Sequence, residues 1–442
     1  MVRSNKRCSK LKIAKLGVFL IYKLIDVIKK VIKSPTAMVL ALFACANLLS
    51  TILNGIGGIL QATWVNPEVL GCFYKYAILT GYVNVLLIFV QDGLSRQYPY
   101  LIGAGEIEKA EAFASVGKFW YLCVAFIAMS GFGFMTIRAL LFQDWFGVAG
   151  WFTQVISVLQ HTYGTYLQTM YRRSMEFKRL SYNSLIMSVI CFVLLIAVKF
   201  FGFFGLAVRQ ITQGAIRVWL DAKYLPVKVK AKWDSKIFIH LAKISIPLSL
   251  IGYIRTSFIT STFSLIVLRY CGEGSLGLYG IAVAIEGAAQ TFINSLWQFF
   301  NVKMTIRYGV DDSIGKTVKT LIKPTIFAVI LAVLCALALC VCAGPFVRFF
   351  VPKYVGAIPV IYILSIGMVL TALRLPTEVL RTALRYNVVF LIAIVKVLVV
   401  VFSMLLGEKT IVWFAWCSIL GLVSDVILGY LLLIILIRKE NR

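Results

Sequence analysis

Long apolar runs follow one another along this chain, separated by brief polar breaks, at a spacing that fits membrane-crossing helices and not a folded soluble core. About twelve runs are predicted as spans, at approximately 37–60, 71–92, 116–137, 147–169, 182–199, 203–222, 244–268, 277–300, 324–345, 357–379, 387–406 and 410–437. The expected fold is therefore an all-α membrane protein. Breaks after odd-numbered spans are short, at 66–70, 143–146, 271–276, 352–356 and 407–409, whereas the longest connection, 223–243, is basic and carries Pro226. None has room for a soluble catalytic or nucleotide-hydrolysing domain.

The second six spans repeat the first six. Leu70 and Gly71 fall on Leu276 and Gly277, Gly81 on Gly287, and Gly103 on Gly309, every pair at the same separation. Identities this few carry little alone, but three pairs are glycines at matching places: the turn before the second and eighth spans, the interior of those spans, and the loop that follows. Duplication of a six-span unit, with both halves in one orientation, is the expected origin. The organisation expected is a basic amphipathic cytoplasmic N-terminus (1–36), an N-lobe (37–225), a basic cytoplasmic linker (226–243), a C-lobe (244–437) and a short cytoplasmic tail (438–442).

Composition agrees with this pattern. Hydrophobic residues make up 60% of the chain and charged ones 14%, and the mean hydropathy is +0.90. A net charge of +27 would suggest nucleic acid in a soluble protein. Here most of the 45 Lys and Arg lie in the termini and the connections on their side, and only a few lie on the opposite side, which places both termini in the cytoplasm. No nucleic-acid partner is expected. Lys10, Lys12, Lys15, Lys23, Lys29, Lys30 and Lys33, interleaved with Leu11, Ile13, Leu16, Phe19 and Leu20, fit either a helix lying on anionic lipid or a solvated basic tail. The cysteines are scattered and only His161 and His240 accompany them, so no metal site and no cofactor are expected. Gly309, Gly315, Lys316 and Thr317 mimic a phosphate-binding loop, but the glycine spacing is wrong and a membrane helix precedes it.

Charges within the spans carry more information, because each costs ~2.5–3.5 kcal/mol at the bilayer centre unless it is compensated. Lys75, Lys118, Arg209, Arg255, Arg374 and Lys396 qualify. Lys118 and Arg374 are near enough to cytoplasmic ends to extend their heads into water. Acidic counterparts are fewer: Glu286 and Asp425 at depth, with Asp92 and Asp221 nearer the inner ends. An excess of buried cations favours an anionic substrate, while a fixed Arg255–Glu286 pair that only locks helices is the alternative. Polar stripes accompany the charges: Asn47, Asn54 and Gln61 in the first span; Ser245, Ser249, Thr256, Thr260, Ser261 and Ser264 around Arg255; Tyr279, Glu286, Gln290 and Asn294 in the eighth. They suit either a water-filled cavity or interhelical hydrogen bonding. With no nucleotide domain, Glu286, and after it Asp425, is the expected point of ion coupling.

Several loop-to-helix entries carry a resemblance. Asn66, Pro67, Glu68, Val69, Leu70, Gly71 and Phe73, then Gly274, Leu276, Gly277, Leu278 and Tyr279, then Pro352, Lys353, Tyr354, Ala357 and Pro359 resemble those of polysaccharide and O-antigen flippases in the multidrug, oligosaccharidyl-lipid and polysaccharide exporter superfamily. The resemblance implies two six-helix lobes around a central cavity, lined chiefly by spans one, two, seven and eight. That arrangement would hold Asn47, Asn54, Lys75, Arg255, Glu286 and Gln290 inside it. Arg255, helped by Lys75 and Arg209, is then the expected ligand of the cargo's pyrophosphate, and Tyr279 is a further expected substrate contact. The implied cargo is an oligosaccharide on undecaprenyl pyrophosphate, moved across a bacterial cytoplasmic membrane, with membrane lipids and other polysaccharide assembly proteins as partners. Lipid II flippases of the superfamily have fourteen spans and cations in the first; this chain departs from both.

Two other functions compete. A cation-coupled drug exporter would need carboxylates where this chain has cations, and a membrane glycan polymerase or ligase would need a large outer loop. No catalytic residue is expected. The charge bias predicts that, in a cysteine-free background, an impermeant maleimide added to intact cells labels Glu273→Cys and not Asp234→Cys. Labelling of the latter inverts the topology.

Overall fold

The structure, a computed structural model, describes residues 49–50, 53–174, 176–311, 313–383 and 385–440, with the side chains of 172, 173, 177, 291, 292, 294–303 and 305–311 excepted. Asn47 and the basic segment 1–36 lie outside the described residues. Among these residues no strand occurs.

A first helix, α1 (53–64), stops where Asn66 turns extended (φ −78°, ψ 152°) ahead of Pro67. Proline suits this start, since its missing amide hydrogen would have had no helical partner. Then follow α2 (Pro67–Val83), a 3₁₀ turn (Asn84–Phe89), α3 (Gln91–Gly103), α4 (Ile107–Leu141), α5 (Trp145–His161), α6 (Tyr163–Arg173), α7 (Phe177–Val193), α8 (Leu195–Phe201) and α9 (Phe203–Lys223). The second half comprises α10 (Ser235–Tyr253), a π-helical turn (Ile254–Phe258), α11 (Ile259–Asp311), α12 (Ile314–Phe350), a 3₁₀ turn (Pro352–Ala357) and α13 (Ile358–Leu373). A second 3₁₀ turn (Leu375–Glu378), α14 (Val379–Thr382), α15 (Tyr386–Leu406) and α16 (Ile411–Glu440) complete it.

Eight helices among the described residues are long and apolar enough to cross a membrane. One of them, Ser235–Gln290, is 56 residues long and breaks at Gly272 (φ 80°, ψ 178°), a backbone conformation that glycine tolerates. The Phe263 and Tyr279 rings on either side stack with centroids 4.6 Å apart. On a straight helix those residues would lie ~24 Å apart, so the chain doubles back and makes two passes. The expected fourth span divides into α5 and α6, and only part of the first is described. The expected linker shortens as well, because α10 starts at Ser235, where the Asp234 carboxylate accepts the amides of Lys236 (2.8 Å) and Ile237 (3.2 Å). The phosphate-loop mimic is the start of α12, and its Ile314 and Gly315 amides donate to Glu440 at 3.1 and 3.2 Å.

Two large cores form, one built from Leu87 to Leu225 and closed by Leu241 of α10, and one lying within the second half from Ile251 to Leu433. Two further clusters join the halves at the end that carries the short connections; there the Tyr354 hydroxyl donates to the Val65 carbonyl at 3.1 Å. The tightest approach is between repeat-related glycines. A Cβ on Gly71 would lie 1.7 Å from the Glu273 carbonyl oxygen, and one on Gly277 would lie 1.9 Å from that of Pro67. Pro67 and Glu273 are themselves repeat mates, so the contact is reciprocal, as in a two-fold interface. The Lys75–Glu273 ion pair, 2.6 Å, sits beside it.

Any side chain at this crossing forces two backbones apart, which costs ~1–3 kcal/mol or more. Gly71→Ala should therefore lower the melting temperature of the purified protein. Gly103→Ala, with nothing within 4 Å of the added carbon, should leave it unchanged or slightly raised.

Candidate functional site

Two polar regions lie within the bundle. The first follows the seam between the halves, where the second span meets the seventh. Tyr82 hydrogen-bonds Thr262 (3.0 Å), the Asn84 amide donates to Ser257 (3.3 Å), and the Ser249 hydroxyl donates to the Asp92 carboxylate (2.9 Å) while the Asp92 amide donates to Ser245 (3.1 Å). Part of the hydroxyl run that sequence leaves open between a cavity and interhelical contact thus bonds one helix to another. Beside the seam opens a polar cavity of about 370 Å³, lined by Asn84, Gln91, Asp92, His161, Thr256 and Arg381 among others. Arg381 makes no ion pair among the described residues.

The second region lies inside the C-terminal half. Arg255, on the π-helical turn, pairs with Asp425 and with Glu378 (3.5 Å). Arg374 pairs with the same two carboxylates, Asp425 at 3.2 Å and Glu378 at 3.4 Å. Two guanidinium groups and two carboxylates thereby close a ring. Asp425 is 1% exposed and Glu378 6%, and such a pairing holds only while each charge keeps its partner. Arg374 does not extend toward water as its position suggests; it is one of the two arginines of this ring. Arg255 takes Asp425 and Glu378, and Glu286 makes no ion pair among the described residues. Lys396, 8% exposed, also stays out of the ring. Arg255, Tyr279, Glu286 and Lys396 border a smaller pocket of about 230 Å³.

The other residues singled out from the sequence are dispersed. Lys75 is held by Glu273 at the crossing. Arg209 donates to the Gln61 side-chain oxygen (2.5 Å) and to the Cys191 carbonyl (3.2 Å), tying α9 to α1 and α7 without a carboxylate. Asn54 faces a largely apolar cavity of about 500 Å³ between α1 and α11. Gln290 has a buried oxygen with no hydrogen-bond partner among the described residues. Lys118 donates to the Val229 carbonyl in the linker at 2.9 Å. Sequence reasoning missed Glu378 and Arg381. Pro376 marks the end of a helix, and four-residue spacing from Arg374 to Glu378 is a pairing signal, but the reentry of this short segment into the bundle is a tertiary event. Among the described residues, no group of three or more His, Cys, Asp or Glu is placed to hold a metal.

Breaking a buried charge pair from one side costs ~3–5 kcal/mol. Asp425→Asn, which weakens the neutralisation of two arginines at once, should cut expression or lower the melting temperature sharply. Glu286→Gln, which removes no ion pair seen among the described residues, should melt near the wild-type temperature.

Residues 64–300, just over half of the chain, match the family described as polysaccharide biosynthesis protein. No curated protein matches the sequence. Among solved structures, an inward-facing multidrug resistance MATE family transporter of the MOP superfamily is similar at a TM-score of 0.69, with 15% identity, covering 88% of this chain and 95% of that one. The lipid II flippase MurJ in an inward closed conformation is similar at 0.65, with 12% identity and coverage of 88% and 87%. A MOP superfamily transporter from Pyrococcus furiosus, described as having a binding pocket of reverse polarity, is similar at 0.54, with 16% identity and coverage of 92% and 97%. At such identities the structures show a shared fold, while the family match spans enough of the sequence to show membership. The chain is a multi-pass membrane protein with the MOP-superfamily fold, and it belongs to the polysaccharide biosynthesis protein family.

Proposed function

We propose that this protein moves an undecaprenyl-pyrophosphate-linked oligosaccharide, a repeat unit of O-antigen, capsule or exopolysaccharide, from the cytoplasmic to the outer leaflet by alternating access between its halves. The supporting observation is the surplus of cations at membrane depth. Arg255 and Arg374 are matched by Asp425 and Glu378. Among the described residues Arg209, Lys396 and Arg381, which faces the cavity at the seam, have no carboxylate within ion-pair distance, whereas on the acidic side Glu286 and Asp92 lack a basic partner, so one cation is left over. Structural pairing needs equal numbers of both signs, so a surplus calls for an anion that the chain does not carry.

Arg255 is the strongest candidate for the pyrophosphate from sequence alone, but its guanidinium is committed to the ring. We therefore assign that role to Arg381, whose fork of donors suits phosphate oxygens. Asn84, Gln91 and Thr256 in the same cavity offer hydrogen bonds to sugar hydroxyls. The apolar cavity between α1 and α11 suits a polyprenyl chain near its head group. Asp425 is fixed between two arginines, which leaves Glu286 as the residue through which an ion, most simply a proton, resets the cycle.

Deletion of the gene should leave lipid-linked oligosaccharide on the inner leaflet, and Arg381→Gln should reduce translocation at least tenfold while Arg381→Lys keeps part of it. An unchanged leaflet distribution on deletion, together with lost drug resistance, assigns the chain instead to drug export. Glu286→Gln should yield a stable protein that binds cargo and does not turn over; full turnover would remove Glu286 from the mechanism.

A further inference from the structure

The ring in the C-terminal half balances two guanidinium groups against two carboxylates and leaves Lys396 and Glu286 outside it. Lys396 projects from α15 into the pocket of about 230 Å³ that both passes of the α10–α11 hairpin wall together with α13, α15 and α16. It is 8% exposed, and among the described residues its ammonium forms no hydrogen bond or ion pair. Glu286 and Tyr279 face the same space from α11, and Arg255 enters it from the π-helical turn. Asp425 and, behind it, Arg374 and Glu378 are the other charged groups of this neighbourhood.

Three basic groups and three carboxylates are thus gathered here. With Glu286 ionised, three cations meet three carboxylates. With Glu286 protonated, one positive charge is uncovered in a setting where an uncompensated charge is costly. That charge is met most directly by an anion entering the pocket. The volume is below the roughly 300–1,000 Å³ of sites for drug-sized ligands, so it holds one charged sugar or one phosphate and not a whole repeat unit.

We propose that this pocket is a subsite for an oxyanion carried by the translocated oligosaccharide, with Lys396 as its counter-ion and Glu286 as the carboxylate that competes with it. This rests on the flippase reading above and specifies its substrate: a repeat unit whose acidic group, either a sugar carboxylate or the linking pyrophosphate, enters the C-terminal half during the cycle. Proton uptake by Glu286 and entry of the oxyanion then favour each other.

Calorimetric titration of the purified full chain in lipid nanodiscs, with glucuronate, inorganic pyrophosphate and glucose as probes, tests the subsite without transport. A failure here is therefore separate from a failure of the leaflet assay. At least one oxyanion should bind tenfold or more tighter than glucose, and more tightly as pH falls. Tighter glucuronate identifies a sugar acid as the source, and tighter pyrophosphate identifies the lipid linkage. Lys396→Met should abolish the preference and Lys396→Arg should keep it. Glu286→Gln should tighten oxyanion binding and flatten its pH dependence, which decides the matter even if Lys396→Met does not fold. Equal binding of oxyanions and glucose by the wild type, preference retained in a folded Lys396→Met, or weaker or unchanged oxyanion binding by Glu286→Gln would each overturn the proposal.

Discussion

The backbones of α2 and α11 touch at Gly71 and Gly277, and much else in the molecule follows from that contact. Helices normally pack 8–10 Å apart because side chains separate them; without a Cβ on either strand of the crossing, the carbonyls of Pro67 and Glu273 press directly on the opposite helix. This fixes where the eighth span begins. From there Tyr279 stacks on Phe263 and Glu286 faces the pocket with Lys396. The same crossing brings Lys75 to Glu273 and lets the second span run alongside the seventh.

Away from the crossing, the interior divides its charges between two uses. Arg255, Arg374, Glu378 and Asp425 satisfy one another and join the seventh, tenth and twelfth spans with the short segment after the tenth. An array of that kind resists change, because altering any member leaves a charge without compensation. Arg381, Lys396 and Glu286 stay outside it and border cavities. Charge held in reserve in this way is expensive in lipid, and its placement beside empty space is what gives it functional meaning.

The helical class, the lipid setting and the duplication were all legible in the sequence, because apolar length and repeated glycines are local signals that the fold does not override. Gly71 and Gly277 stood out by repetition and meet in space for the same reason. The partners of the buried charges were not legible. Arg255 and Glu286 lie on successive passes of one hairpin, so pairing them is the natural guess, yet the carboxylates that take Arg255 come from residues 378 and 425, more than a hundred positions away. Arg374 looks like a helix-end residue until the buried 3₁₀ turn at Leu375–Glu378 brings Glu378 back beside it. The choice between lining a cavity and gluing helices also depends on the facing helix: Ser245, Ser249 and Ser257 acquire their meaning from Asp92 and Asn84.

The π-helical turn at Ile254–Phe258 solves a problem of phase. Ser245, Ser249, Ser257 and Ser261 lie at multiples of four residues, and all of them reach the second span, the last through Gly81. On an uninterrupted α-helix, at about 100° per residue, sixteen residues would carry the last hydroxyl about 160° round from the first. A wider turn takes back much of that drift, as a one-residue insertion does. Residue number across this stretch is therefore under tighter constraint than residue identity: exchanging serine for threonine preserves the seam, whereas losing a single residue from 254–258 would swing everything up to Gly272 away from its partner helix. Lineages that retain the four-residue hydroxyl spacing should retain the length of this segment too, even where its side chains other than Arg255 have diverged.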